Sequence, residues 1–303
     1  GLGTSFAPEG RQQPDVTWSV LPVALDAGYS HIDTAHLYGN ETQVRDVLAS
    51  YFIQGRLGRE DVFICTKVAH PPIPPMKPEC IAWETQYVVD PDVDSGVALT
   101  REFYGCLGRL GLGYVDLLLI HAPGPQPTRF HEFDKAAHSR RKRKEMWKAM
   151  EDLHSRKLAR AIGVSNFSVR HLQELEEDGC KIMPHVNQVE ISPYLIQAPL
   201  LQYCSKKGVV LTAHSPLGQG RTGVTEDPEI LRIAKERGCS PSQLILRWLI
   251  QKGITVVPKS SSQARIAENL AAAALEPLSP EHMASIDSLD RGLRTCPDWD
   301  LAP

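Results

Sequence analysis

Strand-like and helix-like segments alternate along the whole of this 303-residue chain, and that alternation constrains its fold more than any other feature. Strands separated by helices pair in parallel, because a parallel neighbour is reached only through a long crossover. The strand-like runs fall at 1–4, 31–35, 62–67, 115–121, 160–165, 186–191, 209–215 and 255–258. The helix-like segments fall at 16–27, 41–54, 97–110, 144–156, 169–178, 199–207, 228–237, 241–251, 263–270 and 280–289. Gly28, Gly55 and Gly111 stand just past three of these helices as stop signals. The run Val115-Asp116-Leu117-Leu118-Leu119-Ile120 is apolar almost throughout, as a strand buried on both faces requires. The expected fold class is α/β, a (β/α)8 TIM barrel with two extra helices and two long loops at its carboxyl-end mouth. Such barrels typically need ~250 residues, so residues 1–303 read as a single domain.

The two loops interrupt the rhythm. Residues 70–96 carry Pro71, Pro72, Pro74, Pro75, Pro78 and Pro91, which disfavours regular structure. Residues 122–143 form the second loop, and both follow strand ends that face the mouth. Net charge is −3, too small to create a field that draws in nucleic acid or an anionic membrane. No apolar run reaches the ~18 residues of a spanning helix. The chain opens on Gly1 without an initiator Met, as a chain trimmed at its amino end would, and no signal peptide is visible. Seven scattered cysteines, free of CxxC spacing, suit reduced thiols in a cytoplasmic protein. The basic run Arg140-Arg141-Lys142-Arg143-Lys144 reads as a solvated face, and Asn40-Glu41-Thr42 as a glycosylation sequon in name only. No convincing metal-ligand cluster is present.

Chemistry concentrates at strand ends. The stretch His31-Ile32-Asp33-Thr34-Ala35-His36-Leu37-Tyr38-Gly39-Asn40-Glu41 sets an acid and a phenol five residues apart. A phenol has an ordinary pKa near ~10 and donates poorly at neutral pH unless a cation lowers that value. Lys67 ends the next strand-like run and His121 the one after. Asp33, Tyr38, Lys67 and His121, in this order at strand ends, resemble the catalytic tetrad of the aldo-keto reductase superfamily. The segments Gly163-Val164-Ser165-Asn166-Phe167, Asn187-Gln188-Val189-Glu190 and Val257-Pro258-Lys259-Ser260, with Arg265 and Glu268-Asn269, agree, and the likeness runs from Gly1 to about Asp290.

The resemblance implies NADPH-dependent reduction of an aldehyde or ketone, with Tyr38 as general acid and Lys67 easing release of its proton. Asp33 would fix Lys67, and His121 would orient the substrate oxygen. Ser165, Asn166 and Gln188 resemble the residues that hold the nicotinamide carboxamide, supplying both donors and acceptors. Lys259, Ser260, Ser261 and Arg265 resemble the cluster for the adenosine 2′-phosphate, so NADP(H) is the expected cofactor. Thr4, Ser5, Asp33, His214, Ser215, Leu217, Gly218, Glu268 and Asn269 complete the implied cofactor contacts. Leu37, Ala69, Ala122 and Trp83 form the implied substrate pocket. Three positions depart from relatives selective for small aromatic aldehydes, which carry tryptophan where this chain has Ser5, Ala69 and Ala122. Each aromatic covers roughly 150–250 Å2, so the pocket should be wide, or refilled from loop 70–96 through Trp83, Tyr87 or Met76. His214 stands where many relatives stack a tyrosine on the nicotinamide, and the short segment 218–227 should hold the cofactor less firmly. The expected partner is a small carbonyl or alcohol, with no nucleic acid or membrane, in a monomer or weak homo-oligomer. A regulatory or binding subunit of the same fold is the alternative.

Overall fold

In the computed structural model, residues 1–6, 16–68, 94–124 and 136–302 are described. Eight parallel strands follow one another around the sheet in chain order. They are β1 (Leu2–Gly3), β2 (His31–Asp33), β3 (Phe63–Val68), β4 (Val115–Ile120), β5 (Ala159–Ser165), β6 (Val186–Glu190), β7 (Val210–His214) and β8 (Thr255–Val256). The ring closes through main-chain bonds beyond the paired residues: Gly1 N donates to Val256 O at 2.8 Å and Gly3 N to Pro258 O at 3.0 Å. The helices are α1 (Val16–Ala27), α2 (Glu41–Ile53), α3 (Ser95–Leu110), α4 (Ala136–Ser155), α5 (Val169–Glu177), α6 (Ala198–Lys207), α7 (Pro228–Arg237), α8 (Pro241–Gln251), α9 (Gln263–Ala271) and α10 (Pro280–Asp287). None of them is long and apolar enough to cross a membrane.

The alternation of side chains along each strand builds two cores. Cys65, Leu117 and Leu119 point into the barrel, with Ala161 and Val186 packed on them. Ile64, Leu118, Ile120, Ile162 and Val164 point outward into the larger core beneath the helices. All of β4 is therefore buried, as its apolar run requires. Between β5 and β6 the interior narrows to main chain: a Cβ on Gly163 would lie 2.4 Å from Val186 O and 2.8 Å from Leu119 Cδ2. Only glycine fits there without moving a strand.

The second expected loop is shorter than its reading. Residues 136–143 are the first turns of α4, not part of a loop. Their cations are drawn to α5: Arg140 pairs with Glu177 and Asp178, and Arg143 with Glu174. The basic run is thus an inter-helix seam as well as a surface. α3 starts two residues early, at Ser95, because the Asp94 carboxylate caps Gly96 N at 2.9 Å and Val97 N at 3.1 Å. Most of the 70–96 insertion, with Trp83, Tyr87, Met76 and Ala69, lies outside the described residues.

Candidate active site

Asp33 ends β2, and the chain then turns through a single 3-10 turn, His36–Tyr38, before α2. Gly39 closes the turn at φ 66°, a conformation that costs glycine little. Asn40 pins it from below. Its Nδ2 donates to Thr4 O at 2.9 Å and Thr17 Oγ1 at 3.0 Å, and its Oδ1 accepts from Thr34 Oγ1 at 2.7 Å. An amide so enclosed cannot carry a glycan, so the sequon is structural. The turn delivers Tyr38 over the end of β3, where Lys67 stands with 0% of its surface exposed. Lys67 Nζ donates to Asp33 Oδ1 at 2.6 Å, to Thr34 O at 3.0 Å and to Tyr38 Oη at 3.4 Å. The other carboxylate oxygen of Asp33 accepts from Gln188 Nε2, on β6, at 2.7 Å.

Burial opposes the charge on Asp33, but the Lys67 ammonium and hydrogen bonds from Lys67 and Gln188 outweigh it, and the carboxyl stays below its ordinary range. Burial also opposes the charge on Lys67; Asp33 reverses this and raises it. The pair is therefore ionised. Tyr38 behaves differently from the sequence reading. Lys67 acts in the expected direction, yet burial dominates and the phenol is pushed up to about 12. The sequence displays the cation but not the desolvation.

His121 follows β4. Its N donates to Val68 O at 2.9 Å, and its carbonyl accepts from Asn166 Nδ2 at 2.9 Å. The imidazole meets the Tyr38 ring edge-on, with centroids 5.6 Å apart. Its Nδ1 is buried and has no hydrogen-bond partner among the described residues. Burial and the Lys67 charge push its pKa down to about 3, so the ring is neutral. Asn166 sits at φ 64°, a conformation asparagine tolerates better than most residues. It contacts Ser165 Oγ at 3.2 Å, and its Oδ1 lies 2.9 Å from His214 Nε2. His214 is pushed down to about 4, mainly by burial, so a neutral imidazole with its proton on Nε2 makes that bond. Ser165 Oγ donates to Gln188 O at 2.7 Å. Ser165, Asn166, Gln188, His214 and Ser215 thus form one connected polar wall beside His121.

Beyond β7, Gly218 lies at φ 62°, where a Cβ would come 1.9 Å from Thr222 Oγ1. Leu217 is partly buried beside it. The mouth next meets α9, whose start at Ser262 has no side-chain cap. Lys259, Ser261 and Arg265 are exposed around that start, while Ser260 is buried and accepts from Ser262 N at 3.1 Å. Although much of the side chain is exposed, desolvation of its ammonium, 5.9 Å from the Phe6 ring centroid, and the nearby Arg221 charge lower the Lys259 pKa. An uncapped helix start flanked by cations fits a phosphate group. The Arg221 charge acts on Lys259, an effect that the sequence reading passed over. Glu268 is held by the Ser240 hydroxyl and its main chain by Gln243, and Asn269 is buried. Thr4 is buried and donates to Asp33 O at 3.0 Å. Ser5 and Leu37 are partly buried, and Ala122 is 9% exposed.

Two further features were missed. The Thr4–Thr34–Asn40 network was recognisable only as polar residues inside an otherwise apolar motif. Glu190, two residues past Gln188, is buried and receives Thr295 N at 2.8 Å, Cys296 N at 2.9 Å and the Thr295 hydroxyl. It holds a carboxyl-terminal segment against the site. Cys296, Pro297 and Trp299 face Asn166 and Ser168 across a cleft there.

The profile of the Aldo/keto reductase family matches residues 1–291. A 9,11-endoperoxide prostaglandin H2 reductase of Trypanosoma cruzi is 36% identical over 303 residues, covering 99% of this chain and 90% of the relative. Aldose reductase B of Dictyostelium discoideum is 36% identical over 309 residues, covering 98% of this chain and 90% of the relative. A Bombyx mori aldo-keto reductase solved in complex with NADP superimposes with a TM-score of 0.80 at 30% identity, covering 99% of this chain and 91% of that one. The eight-stranded barrel, the residues gathered at its mouth and these likenesses agree: the chain belongs to the aldo/keto reductase family and is an NADP(H)-dependent oxidoreductase that reduces carbonyl groups.

Proposed function

We propose that Tyr38 protonates the oxygen of a small aldehyde or ketone, with Asp33, Lys67 and His121 as its supporting groups. The observation that carries this reading is the Lys67 ammonium, which touches Asp33 and Tyr38 at once. NADPH, when bound, supplies the hydride to the carbonyl carbon. As negative charge develops on the substrate oxygen, that oxygen becomes far more basic than a phenolate, so a phenol at about 12 still gives its proton downhill. Lys67 then stabilises the phenolate left behind, and Asp33 keeps the ammonium in place. His121, neutral and fixed through its main chain, donates a hydrogen bond that orients the carbonyl. Ser165, Asn166 and Gln188 would hold the carboxamide of the cofactor, with His214 and Ser215 beside its ring. Lys259, Ser260, Ser261 and Arg265 would hold the 2′-phosphate, with Thr4, Ser5, Leu217, Gly218, Glu268 and Asn269 as further contacts.

On the same reading Leu37 and Ala122 line a pocket wider than that of tryptophan-bearing relatives. We place the chain, read as one domain, in the cytoplasm, a reading supported by six cysteines that are unpaired among the described residues.

Replacing Tyr38 tests the proton donor; replacing Arg265 tests cofactor choice. A charge-assisted phosphate contact contributes ~1.5–3 kcal/mol, so Arg265→Ala should weaken NADPH binding about 10- to 100-fold. NADH, which lacks the phosphate, should bind the variant almost as it binds the parent. Fluorescence titration of both cofactors checks this, and equal losses would refute the phosphate role.

A further inference from the structure

Arg143 belongs to the basic run of α4, yet it is only 1% exposed. Its Nη1 donates to Pro123 O at 3.0 Å, and its Nη2 pairs with Glu174 on α5. Pro123 lies two residues past His121. The other oxygen of the Glu174 carboxylate receives Arg170 Nη1 at 3.2 Å. Arg170 reaches on through Nη2 to the carbonyl of Ala302. That carbonyl lies 3.1 Å from His171 Nε2 as well, and Ala302 is fully buried. His171 Nδ1 lies 3.2 Å from Ser168 N, and its Nε2 lies 3.0 Å from Arg170 Nη2.

One carboxylate thus sits between two guanidinium forks, and each fork grips a main-chain carbonyl. One carbonyl is in the segment that leaves the catalytic histidine. The other ends the segment that begins at the Glu190 hold on Thr295 and Cys296. A simple tie between α4 and α5 needs one ion pair and no carbonyl in either loop. Planar guanidinium forks fix direction as well as distance, so the arrangement sets where both segments lie.

We infer that Glu174 is a positioning residue for the carbonyl site: through Arg143 and Arg170 it fixes the gap between the segment after His121 and segment 295–302. Its effect on turnover rests on the reductase reading, whereas the coupling of the two segments does not. Segment 295–302 borders Asn166 at the proposed nicotinamide end, whereas Lys259 and Arg265 gather around the start of α9, so Glu174 should matter more to the carbonyl than to NADPH affinity.

The test is Glu174→Gln, which keeps shape and removes charge. Amide hydrogen exchange is followed in peptides covering 119–124 and 295–302. Losing charge-assisted bonds at a shared centre should speed exchange ~10-fold or more in both segments, with the interior of β5 unchanged. In kinetics with an aldehyde, KM should rise ~5-fold or more while NADPH Kd stays within ~2-fold. Faster exchange in one segment or in neither overturns the inference, as does an unchanged KM when both segments have loosened. If the parent reduces no carbonyl, the reductase reading fails, and the exchange arm still decides the coupling. Should Glu174→Gln not fold, Arg170→Met replaces it, since that side chain is half exposed. Its exchange should rise in 295–302 and, through the shared carboxylate, in 119–124; a rise confined to 295–302 overturns the inference.

Discussion

Tyr38→Phe should turn over carbonyl substrates at least ~100-fold more slowly than the parent, the lower range for loss of a general acid. That factor corresponds to about 2.7 kcal/mol of transition-state stabilisation. Phenylalanine keeps the ring that meets His121 edge-on and deletes only the hydroxyl beside Lys67. NADPH affinity should therefore hold within ~2-fold, because the loss falls on the chemical step and not on binding. Since the phenol is pushed up to about 12, the parent's rate should show no titration by Tyr38 near neutral pH. Steady-state rates at the NADPH absorbance, with cofactor titration by fluorescence, check both statements. Turnover within tenfold of the parent would remove Tyr38 from the role of donor.

Lys67→Met should damage both turnover and stability. Turnover should fall by ~100-fold or more, because the phenolate left after proton donation loses its stabilising cation. Stability should fall by ~3–5 kcal/mol near neutral pH, the usual cost of stranding one partner of a buried ion pair. Asp33, buried and held by Gln188, is the stranded group. The direction with pH follows from the shifts. In the parent, the depressed Asp33 pKa contributes stability present above the unfolded value of ~3.9 and lost as pH falls through the folded value. The raised Lys67 pKa contributes stability present below the unfolded value of ~10.4 and lost as pH rises through the folded one. In the variant, burial acts on Asp33 without Lys67, so its pKa moves above the unfolded value. The stability gap between parent and variant should then be widest at neutral pH and narrow on acidification. Urea unfolding at about pH 7.5 and pH 5 reads this, and a gap that does not change with pH would mean Asp33 keeps its charge without Lys67.

Local pattern gave the eight strands in their order and set the candidate site residues at strand ends. Asp33, Lys67 and His121 could be read because each closes a strand-like run, and strands of a parallel barrel deliver their ends to one face. The short closing strands were harder. β8 has two residues, while 255–258 looked like four, since Pro258 joins the ring only through its carbonyl. Residues 136–143 were misread as loop because dense positive charge resembles a solvated segment; the acids that pair with Arg140 and Arg143 lie on α5 and at its carboxyl end. Glu190 gave no local sign of its role, as its partner Thr295 is 105 positions away. For Tyr38 the sequence supplied the nearby cation, but burial, which decides the direction of its pKa, depends on the folded surroundings.

The most direct measurement is a single turnover of the parent with NADPH deuterated at the nicotinamide carbon that gives the hydride, run beside Tyr38→Phe on one aldehyde. The account expects deuterium at the carbonyl carbon of the alcohol formed by the parent, and a rate at least ~100-fold lower in the variant at equal cofactor occupancy. Alcohol formed without deuterium, or equal rates in the two proteins, would contradict it.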